Sequence, residues 1–302
     1  MIGLAHARSN VVPALDRAIP GGTVEGMIPV LFHIGPLSVA THEFFTVLGL
    51  IVATGFVLLE SLRRGMADRA MATIAAGALL GGALGARAGN WWIHITEGGG
   101  LSLPALLVDG GKSVLGGLTG AYLGVLVTKR IIGYRAKTGD VFAPAVAIGL
   151  AVGRIGCLLT EQIGTPTSLP WGFVPPEDTL ARIPNCPQCQ PGVAMHPSFL
   201  YEILFFVALF AGLLWLRPRV HIPGELFKIF LASYCVFRFA VEFVRGNDVV
   251  ALGLTRSQWF LLATGPLIAW YFVRQVRTGA YRSSDAGEVA LTLPAGPQGG
   301  FS

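Results

Sequence analysis

The chain has 302 residues, of which 53% are apolar and 13% are charged, and its mean hydropathy is +0.62. Soluble domains carry roughly a quarter of charged residues, so this composition excludes an ordinary soluble protein and indicates an integral membrane protein. The net charge of +5 does not indicate nucleic-acid binding, because the Lys and Arg residues are spread between apolar segments, where they act as topology signals.

Residues 1–28 precede the first apolar segment and contain polar and proline breaks. They lack the basic start, apolar centre and small-residue cleavage site of a signal peptide. We therefore expect an N-terminal extracytoplasmic segment and a first helix that stays in the mature protein. The 40 Gly residues are more than flexible loops require, and small residues let transmembrane helices approach closely, so they predict tight helix packing.

Seven segments within residues 29–276 are long and apolar enough to cross a bilayer, which needs about 20 largely apolar residues. They lie near 37–59, 70–94, 113–132, 141–160, 198–216, 225–244 and 258–275. The sequence therefore predicts an all-α integral membrane fold with seven transmembrane helices.

Basic residues mark alternate connections between these segments. They follow the first, third, fifth and seventh segments, for example at Arg63, Arg64, Lys129, Arg130, Arg217, Arg219, Arg274 and Arg277. Cytoplasmic connections carry an excess of Lys and Arg, so this pattern predicts an outside N-terminus and a cytoplasmic C-terminus. Residues 277–302 are rich in Ser, Gly, Ala and Pro without periodicity, which predicts a disordered cytoplasmic tail.

Six ionisable residues lie at one depth, in the outer half of the predicted bundle. They are Glu43, Arg87, Arg154, Glu202, Arg238 and Glu242. An ionisable side chain at membrane depth costs about 2.5–3.5 kcal/mol on insertion scales, so it normally faces a bundle interior or a watery cavity and marks function. We expect a polar chamber open to the outer leaflet. The alternative is mutual neutralisation, for which Arg238 and Glu242 are spaced one helical turn apart.

Two of these arginines are candidates for binding a lipid phosphate. Arginine suits this role because its planar, permanently charged fork makes paired, charge-assisted hydrogen bonds. Arg154 and Arg238 are the candidates. Arg154 lies beside Gly153 and Gly156, which would leave room for a head group close to the helix backbone. A helix–helix contact explains the same glycines equally well.

A series of sequence blocks follows this frame in order. They are FHIGP at 32–36, GGKSVLGGLTG at 110–120, GRIGCLLTEQIGTPTSLPW at 153–171, HPSFLYE at 196–202, YCVFRFAVEFVRGND at 234–248 and LTRSQW at 254–259. Together they resemble the bacterial prolipoprotein diacylglyceryl transferase family, which moves diacylglycerol from phosphatidylglycerol to the lipobox cysteine thiol of an exported preprotein. The resemblance implies this activity in lipoprotein biosynthesis, with phosphatidylglycerol and a signal-peptide-bearing preprotein as partners. It also implies a place in the bacterial inner membrane, with the site facing the outer leaflet. We expect no cofactor or metal.

The resemblance also implies site residues. The family's signature arginine and its sixth-span arginine correspond to Arg154 and Arg238. Other matches for substrate binding are Gly153, Gly156, Tyr234, His196 and Tyr201. Matches for catalysis are Glu202, Glu242 and, one residue out of register, Glu161.

Three positions depart from the family pattern. Leu115 stands where the family has a histidine proposed as general base, Cys157 replaces an asparagine, and His42 replaces a tyrosine. His42, Glu161 and Glu202 remain as proton acceptors near the outer face, and we hypothesise that His42 replaces the missing base, because histidine titrates closest to neutral pH. An interfacial hydrogen-bonding role is the alternative for His42.

Other functions stay open at this point. A catalytically silent lipid-binding paralogue, or a transferase with a different acceptor, fits the changed positions. A transporter would need charges spread through the midplane and repeat symmetry, which this sequence does not display. Cys186 and Cys189 form a CPQC turn that suits a disulfide or a metal clip with His196 as a third ligand.

Overall fold

The computed structural model describes residues 28–35, 37–96, 114–160, 164–175 and 191–279. Predictions for the N-terminal segment up to residue 27 and for the tail beyond residue 279 lie outside these ranges. So do those for Glu161, Cys186 and Cys189.

The described residues form seven helices, so the predicted all-α class is confirmed. These are α1 (Thr41–Arg63), α2 (Arg69–Thr96), α3 (Val114–Ile131), α4 (Gly139–Thr160), α5 (Ser198–Leu216), α6 (Glu225–Val241) and α7 (Arg256–Arg277). Each predicted segment overlaps one of them. Two short antiparallel hairpins, which the sequence did not predict, join β1 (Val30–Ile34) to β2 (Leu37–Ala40) and β3 (Val249–Ala251) to β4 (Leu254–Thr255).

Four of these helices are long and apolar enough to cross a membrane. They are α1, α4, α5 and the first part of α2 (Arg69–Ala88), with mean hydropathies between 1.3 and 2.2. Helices α3 and α6 are 18 and 17 residues long, and α6 carries three charged residues. The count of four holds for the described residues, and the full count of seven spans stays a prediction.

Helix α4 contacts α1, α5 and α6. On one face, Ala143, Ala147 and Ala151 pack into a buried apolar core. Their partners on α5 and α6 are Phe206, Leu213, Leu226, Phe230 and Tyr234. On another face, glycines bring α4 against α1 so closely that a Cβ added to Gly49 would lie 3.1 Å from the backbone nitrogen of Gly153. These two faces determine which α4 side chains point towards α5 and α6.

Helices α2 and α3 pack tightly through glycines on both sides. A Cβ added to Gly81 would clash with the backbone of Gly120 and lie 2.9 Å from Gly124 Cα. A Cβ added to Gly85 would lie 2.7 Å from Gly120 Cα. The close approach explains the glycine content of these segments, and the prediction of tight helix packing is confirmed.

The connection between α4 and α5 is tied to the segment that follows α6. Thr165 N–H donates to the carbonyl of Val244 at 3.0 Å, and His196 N–H donates to the carbonyl of Thr165 at 2.9 Å. The residues from Glu242 to Val244 form a 3-10 turn that extends α6. The ends of α4, α5 and α6 therefore meet at one end of the bundle, which is where the charged residues lie.

Candidate active site: a buried cluster of arginines and glutamates

Arg154 points towards α5 and α6 because of its position on α4. Eleven residues separate it from Ala143, and since an α-helix has 3.6 residues per turn, it continues the same face about three turns further on. That face packs against Phe206 and Tyr234. Arg154 is buried, with 8% of its surface exposed. A single helical face thus carries small apolar side chains along its length and a cation at its end.

Glu202 lies at the centre of the cluster and is 1% exposed. Its Oε2 atom lies 2.5 Å from Arg154 Nε, and its Oε1 atom accepts a hydrogen bond from Arg245 Nη1. Arg238 Nη1 lies 3.9 Å from the same Oε1 atom. One carboxylate on α5 therefore gathers guanidinium groups from α4, from α6 and from the segment after α6.

Glu242 forms the second anionic group of the cluster. Its Oε2 atom lies 2.7 Å from Arg238 Nη1, so the predicted local pair is confirmed. Its Oε1 atom accepts hydrogen bonds from Asn247 Nδ2 at 2.6 Å and from Thr255 Oγ1 at 2.9 Å. Among the described residues, the atoms that meet in the Arg154–Glu202 and Arg238–Glu242 contacts form no hydrogen bonds, so both contacts are ion pairs.

Among the described residues the cluster carries a net charge of +1, since three arginines face two glutamates. Within that part of the chain the glutamates do not fully neutralise the arginines. Phe199 packs near two of the guanidinium groups, with its ring centroid 5.5 Å from Arg154 Cζ and 5.0 Å from Arg245 Cζ. The packed aromatic ring excludes water and strengthens electrostatic interactions. An excess positive charge in such surroundings favours an anionic ligand.

The groups are buried, and their side chains do not line the open chamber that the sequence predicted. The side chains of Arg154 and Arg238 are each 9% exposed. Glu43 lies elsewhere, at the start of α1, with a side chain that is 60% exposed, and Arg87 on α2 is partly exposed.

Tyr234 brings a hydroxyl group to the same place. It precedes Arg238 by one turn of α6, is 3% exposed and stacks on Phe206 with ring centroids 5.7 Å apart. Within the residues that the structure describes, this hydroxyl has no hydrogen-bond partner. A buried hydroxyl without a partner carries an energetic cost, which a bound ligand would remove.

His196 and Tyr201 form a separate small network beside the cluster. The Tyr201 hydroxyl accepts a hydrogen bond from Trp171 Nε1 at 2.8 Å and lies 3.1 Å from His196 Nδ1. Tyr201 precedes Glu202 in the chain, so the network holds the first turn of α5 against the connection from α4. The two residues were predicted to bind substrate, and that role stays a prediction.

His42 and Gly156 meet at the contact between α1 and α4. A Cβ added to Gly156 would lie 3.2 Å from His42 Cα and 3.0 Å from Phe45 Cβ. Gly156 therefore allows α1 and α4 to approach closely, which was the alternative to its leaving room for a lipid head group. The ring of His42 is partly exposed, and its Nδ1 atom lies 4.0 Å from Glu43 Oε1. The catalytic role of His42 stays a prediction.

The two other positions that depart from the family pattern also have defined surroundings. Leu115 on α3 is partly buried and packs against the apolar core that contains Tyr234. Cys157 is buried, and its Sγ atom accepts a hydrogen bond from Arg154 Nη1 at 3.6 Å. Leu115 thus contributes packing where the family has a titratable ring, whereas Cys157 contacts the signature arginine directly.

Sequence reasoning missed Arg245 as a member of the cluster, together with Asn247 and Thr255. A signal for Arg245 was present, because seven residues separate it from Arg238 and a helical backbone brings residues seven apart onto one face. Asn247 and Thr255 carried no such signal, since they reach Glu242 only through the turn and the hairpin that follow α6.

Apolar helices around a cluster of arginines and glutamates define a helical membrane protein with a charged candidate site. The chain belongs to the prolipoprotein diacylglyceryl transferase family, whose model matches residues 29–274. A relative named phosphatidylglycerol–prolipoprotein diacylglyceryl transferase, from Bordetella bronchiseptica, is 32% identical over 254 residues, covering 76% of this chain and 88% of the relative.

Two further relatives carry the same name. The protein from Cupriavidus pinatubonensis is 31% identical over 282 residues, covering 84% of this chain and 95% of the relative. The protein from Mycobacterium tuberculosis is 30% identical over 249 residues, covering 76% of this chain and 52% of the relative. The family resemblance of the sequence is thereby confirmed.

Proposed function

We propose that this chain transfers a diacylglyceryl group from phosphatidylglycerol to the lipobox cysteine thiol of exported prolipoproteins. Its relatives are named for this activity on these substrates. The observation that carries the proposal is the cluster of three arginines around Glu202, of which Arg154 and Arg238 are buried, since such a cluster suits an anionic phosphodiester. The Tyr234 hydroxyl, which has no hydrogen-bond partner in the described part of the chain, adds a donor for the same ligand.

The proposed location is the bacterial inner membrane, with seven spans, an outside N-terminus and a cytoplasmic C-terminus. Arg63, Arg64 and Arg217 lie at the opposite end of the bundle from Arg154, because α1 and α4 are antiparallel. An excess of arginine marks the cytoplasmic side. In this orientation Arg154 and Glu202 face the outer leaflet, where an exported preprotein would meet the lipid.

The reaction forms one bond and breaks one. The acceptor sulfur, as thiolate, attacks the glycerol carbon that bears the phosphate, and the carbon–oxygen bond to the phosphate breaks. Glycerol phosphate leaves with the electron pair, and the thiol proton passes to a base. Arg154, Arg238 and Arg245 would stabilise the charge that develops on the leaving phosphate. Free cysteine titrates near pH 8.5, so the same positive field would also favour thiolate.

Some residues of the cluster hold the arginines in place, and others bind the substrate. Glu202 and Glu242 orient the three guanidinium groups, so they are positioning residues in this mechanism. Arg154 and Arg238 bind the phosphate. The base that accepts the thiol proton is His42 or, outside the described residues, Glu161.

Purified protein in liposomes of phosphatidylglycerol, incubated with a lipobox peptide, tests the proposal. We expect a diacylglyceryl-sized mass gain on the peptide cysteine and none on a Cys→Ser peptide. Arg154→Gln or Arg238→Gln should lower the rate by about 100-fold or more, as for other groups that stabilise developing charge. Arg219→Gln is the control, because Arg219 lies after α5 and donates to the carbonyl of Trp215.

A silent lipid-binding paralogue is the second candidate function. The packing of Leu115 against the apolar core favours it, because no titratable group stands at that family position. This candidate predicts binding of phosphatidylglycerol without any mass gain on the peptide, whichever phospholipid is supplied. The same experiment therefore separates the two functions.

A further inference from the structure

A second group of arginines surrounds one buried carboxylate at the end of the bundle opposite Glu202. Glu60, near the end of α1, is 2% exposed. It is bound by Arg63 and Arg64 from the same helix and by Arg217, the residue that follows α5. The α1–α4 contact sets the distance between the clusters. Glu60 lies 11 residues beyond Gly49, which contacts Gly153, and this corresponds to roughly 16 Å along the helix axis.

The carboxylate of Glu60 is fully occupied by these arginines. Its Oε1 atom accepts from Arg63 Nη2 at 2.6 Å and from Arg64 Nε at 2.7 Å. Its Oε2 atom accepts from Arg63 Nε at 2.9 Å and from Arg217 Nη1 at 2.8 Å. An ionised carboxylate has about four acceptor sites, so these four hydrogen bonds satisfy it.

The arginines, in contrast, retain both charge and hydrogen-bonding capacity. Three guanidinium groups and one carboxylate give a net charge of +2. Each guanidinium has five N–H donors, of which Arg63 gives two and Arg64 and Arg217 one each to Glu60. Their side chains are 47%, 25% and 29% exposed, respectively. The group therefore presents oriented N–H donors to any acceptor at the protein surface.

The position of the group at the helix ends indicates which kind of ligand contacts it. Helices α1 and α5 are both long and apolar enough to span a membrane, and the group lies where both of them end. Lipid head groups occupy this depth. Basic pockets between helices on the cytoplasmic side bind anionic head groups, and guanidinium forks match phosphate geometry.

We propose that Arg63, Arg64 and Arg217 bind the phosphate of an anionic phospholipid in the inner leaflet. Glu60 holds the three guanidinium groups in place and offsets one of their charges. The site is distinct from the Glu202 cluster and takes a structural lipid that is not consumed. Its place in the inner leaflet rests on the orientation given under Proposed function.

A simpler role for Glu60 is to clip α1 to α5. The clip explains the four hydrogen bonds, but a clip needs only one arginine. The remaining charge of +2 would then lie at a helix end with no counterion among the described residues. Anionic lipid supplies that counterion. The two roles differ in a measurable way, because a clip alone does not depend on the lipid that is present.

Native mass spectrometry of the purified protein tests the site. Delipidated protein is titrated with phosphatidylglycerol or with phosphatidylcholine of the same acyl chains, and tightly bound lipids are counted. Because the Glu202 cluster also binds phosphatidylglycerol in our proposal, the titration is made in an Arg154→Gln background as well as in the wild type. We expect the inner site to fill with phosphatidylglycerol in both proteins, and not with phosphatidylcholine.

The variant combines Arg63→Gln, Arg64→Gln and Arg217→Gln. Each arginine near a membrane surface contributes roughly fivefold to affinity for anionic lipid, so the triple variant should bind about a hundredfold more weakly. The charge-matched control combines Arg130→Gln, Arg135→Gln and Arg277→Gln. These three lie at the same end of the predicted bundle, outside the Glu60 group, and the control should keep wild-type affinity.

Thermal unfolding in neutral detergent provides a second measurement if the triple variant folds poorly. Glu60→Gln should melt lower than the wild type, and phosphatidylglycerol should raise its melting temperature by more than it raises that of the wild type. Equal affinity in the triple variant and the control would overturn the proposal. So would equal protection of Glu60→Gln by phosphatidylcholine or by inorganic phosphate.

Discussion

Replacing Glu202 with Gln removes the central negative charge of the cluster while nearly preserving side-chain shape. The net charge then rises from +1 to +2, because three arginines remain opposite Glu242 alone. Arg154 and Arg245 lose their charged partner in a buried environment. Breaking a buried ion pair from one side typically costs about 3–5 kcal/mol, since an uncompensated charge is left behind.

The assay is thermal unfolding of the purified protein in a neutral detergent. At about 2–4 °C per kcal/mol, a loss of 3 kcal/mol lowers the melting temperature of Glu202→Gln by about 6–12 °C. Glu43→Gln is the matched control, because Glu43 carries the same charge on a side chain that is 60% exposed. Exposed substitutions usually stay within about 0.5 kcal/mol, so the control should melt within about 2 °C of the wild type.

Adding phosphatidylglycerol should restore part of the loss in Glu202→Gln, since the lipid brings a negative charge to the unpaired arginines. Phosphatidylcholine should not restore it. The reasoning about the cluster fails if Glu202→Gln and Glu43→Gln melt at the same temperature. It also fails if both lipids restore Glu202→Gln equally.

The other predictions concern single groups. Tyr234→Phe should melt at or above the wild-type temperature, because the hydroxyl has no hydrogen-bond partner among the described residues. Its transfer rate should fall at least about tenfold if that hydroxyl contacts the lipid, and equal rates would remove Tyr234 from the site. Gly81→Ala should cost about 1–3 kcal/mol in thermal unfolding, because its Cβ meets the backbone of Gly120, whereas Gly55→Ala, with open space, should cost nothing. If His42 is the base, His42→Ala should lower the transfer rate and abolish its pH dependence near neutrality; an unchanged pH–rate profile contradicts that role.

Local spacing was enough to predict some contacts of the site. Arg238 and Glu242 are four residues apart, and a helix brings such residues together, so their pairing followed from the sequence. Arg154 and Glu202 lie on different helices, 48 residues apart, and their contact at 2.5 Å depends on how α4 and α5 are rotated. Gly156 illustrates the same limit, because its contact with His42 and Phe45 depends on how α1 packs against α4.

The sequence alone determined the membrane class, the helical fold and the approximate bounds of each helix. The reason is that backbone polar groups must be satisfied within an apolar segment, so composition and length are sufficient to predict a helix there. Only the tertiary structure decided that Glu202 joins Arg154 with Arg245, and that Glu60 joins Arg217 with Arg63. Pairing between helices depends on their rotation and contact faces, and glycine contacts and core packing set these across the whole bundle.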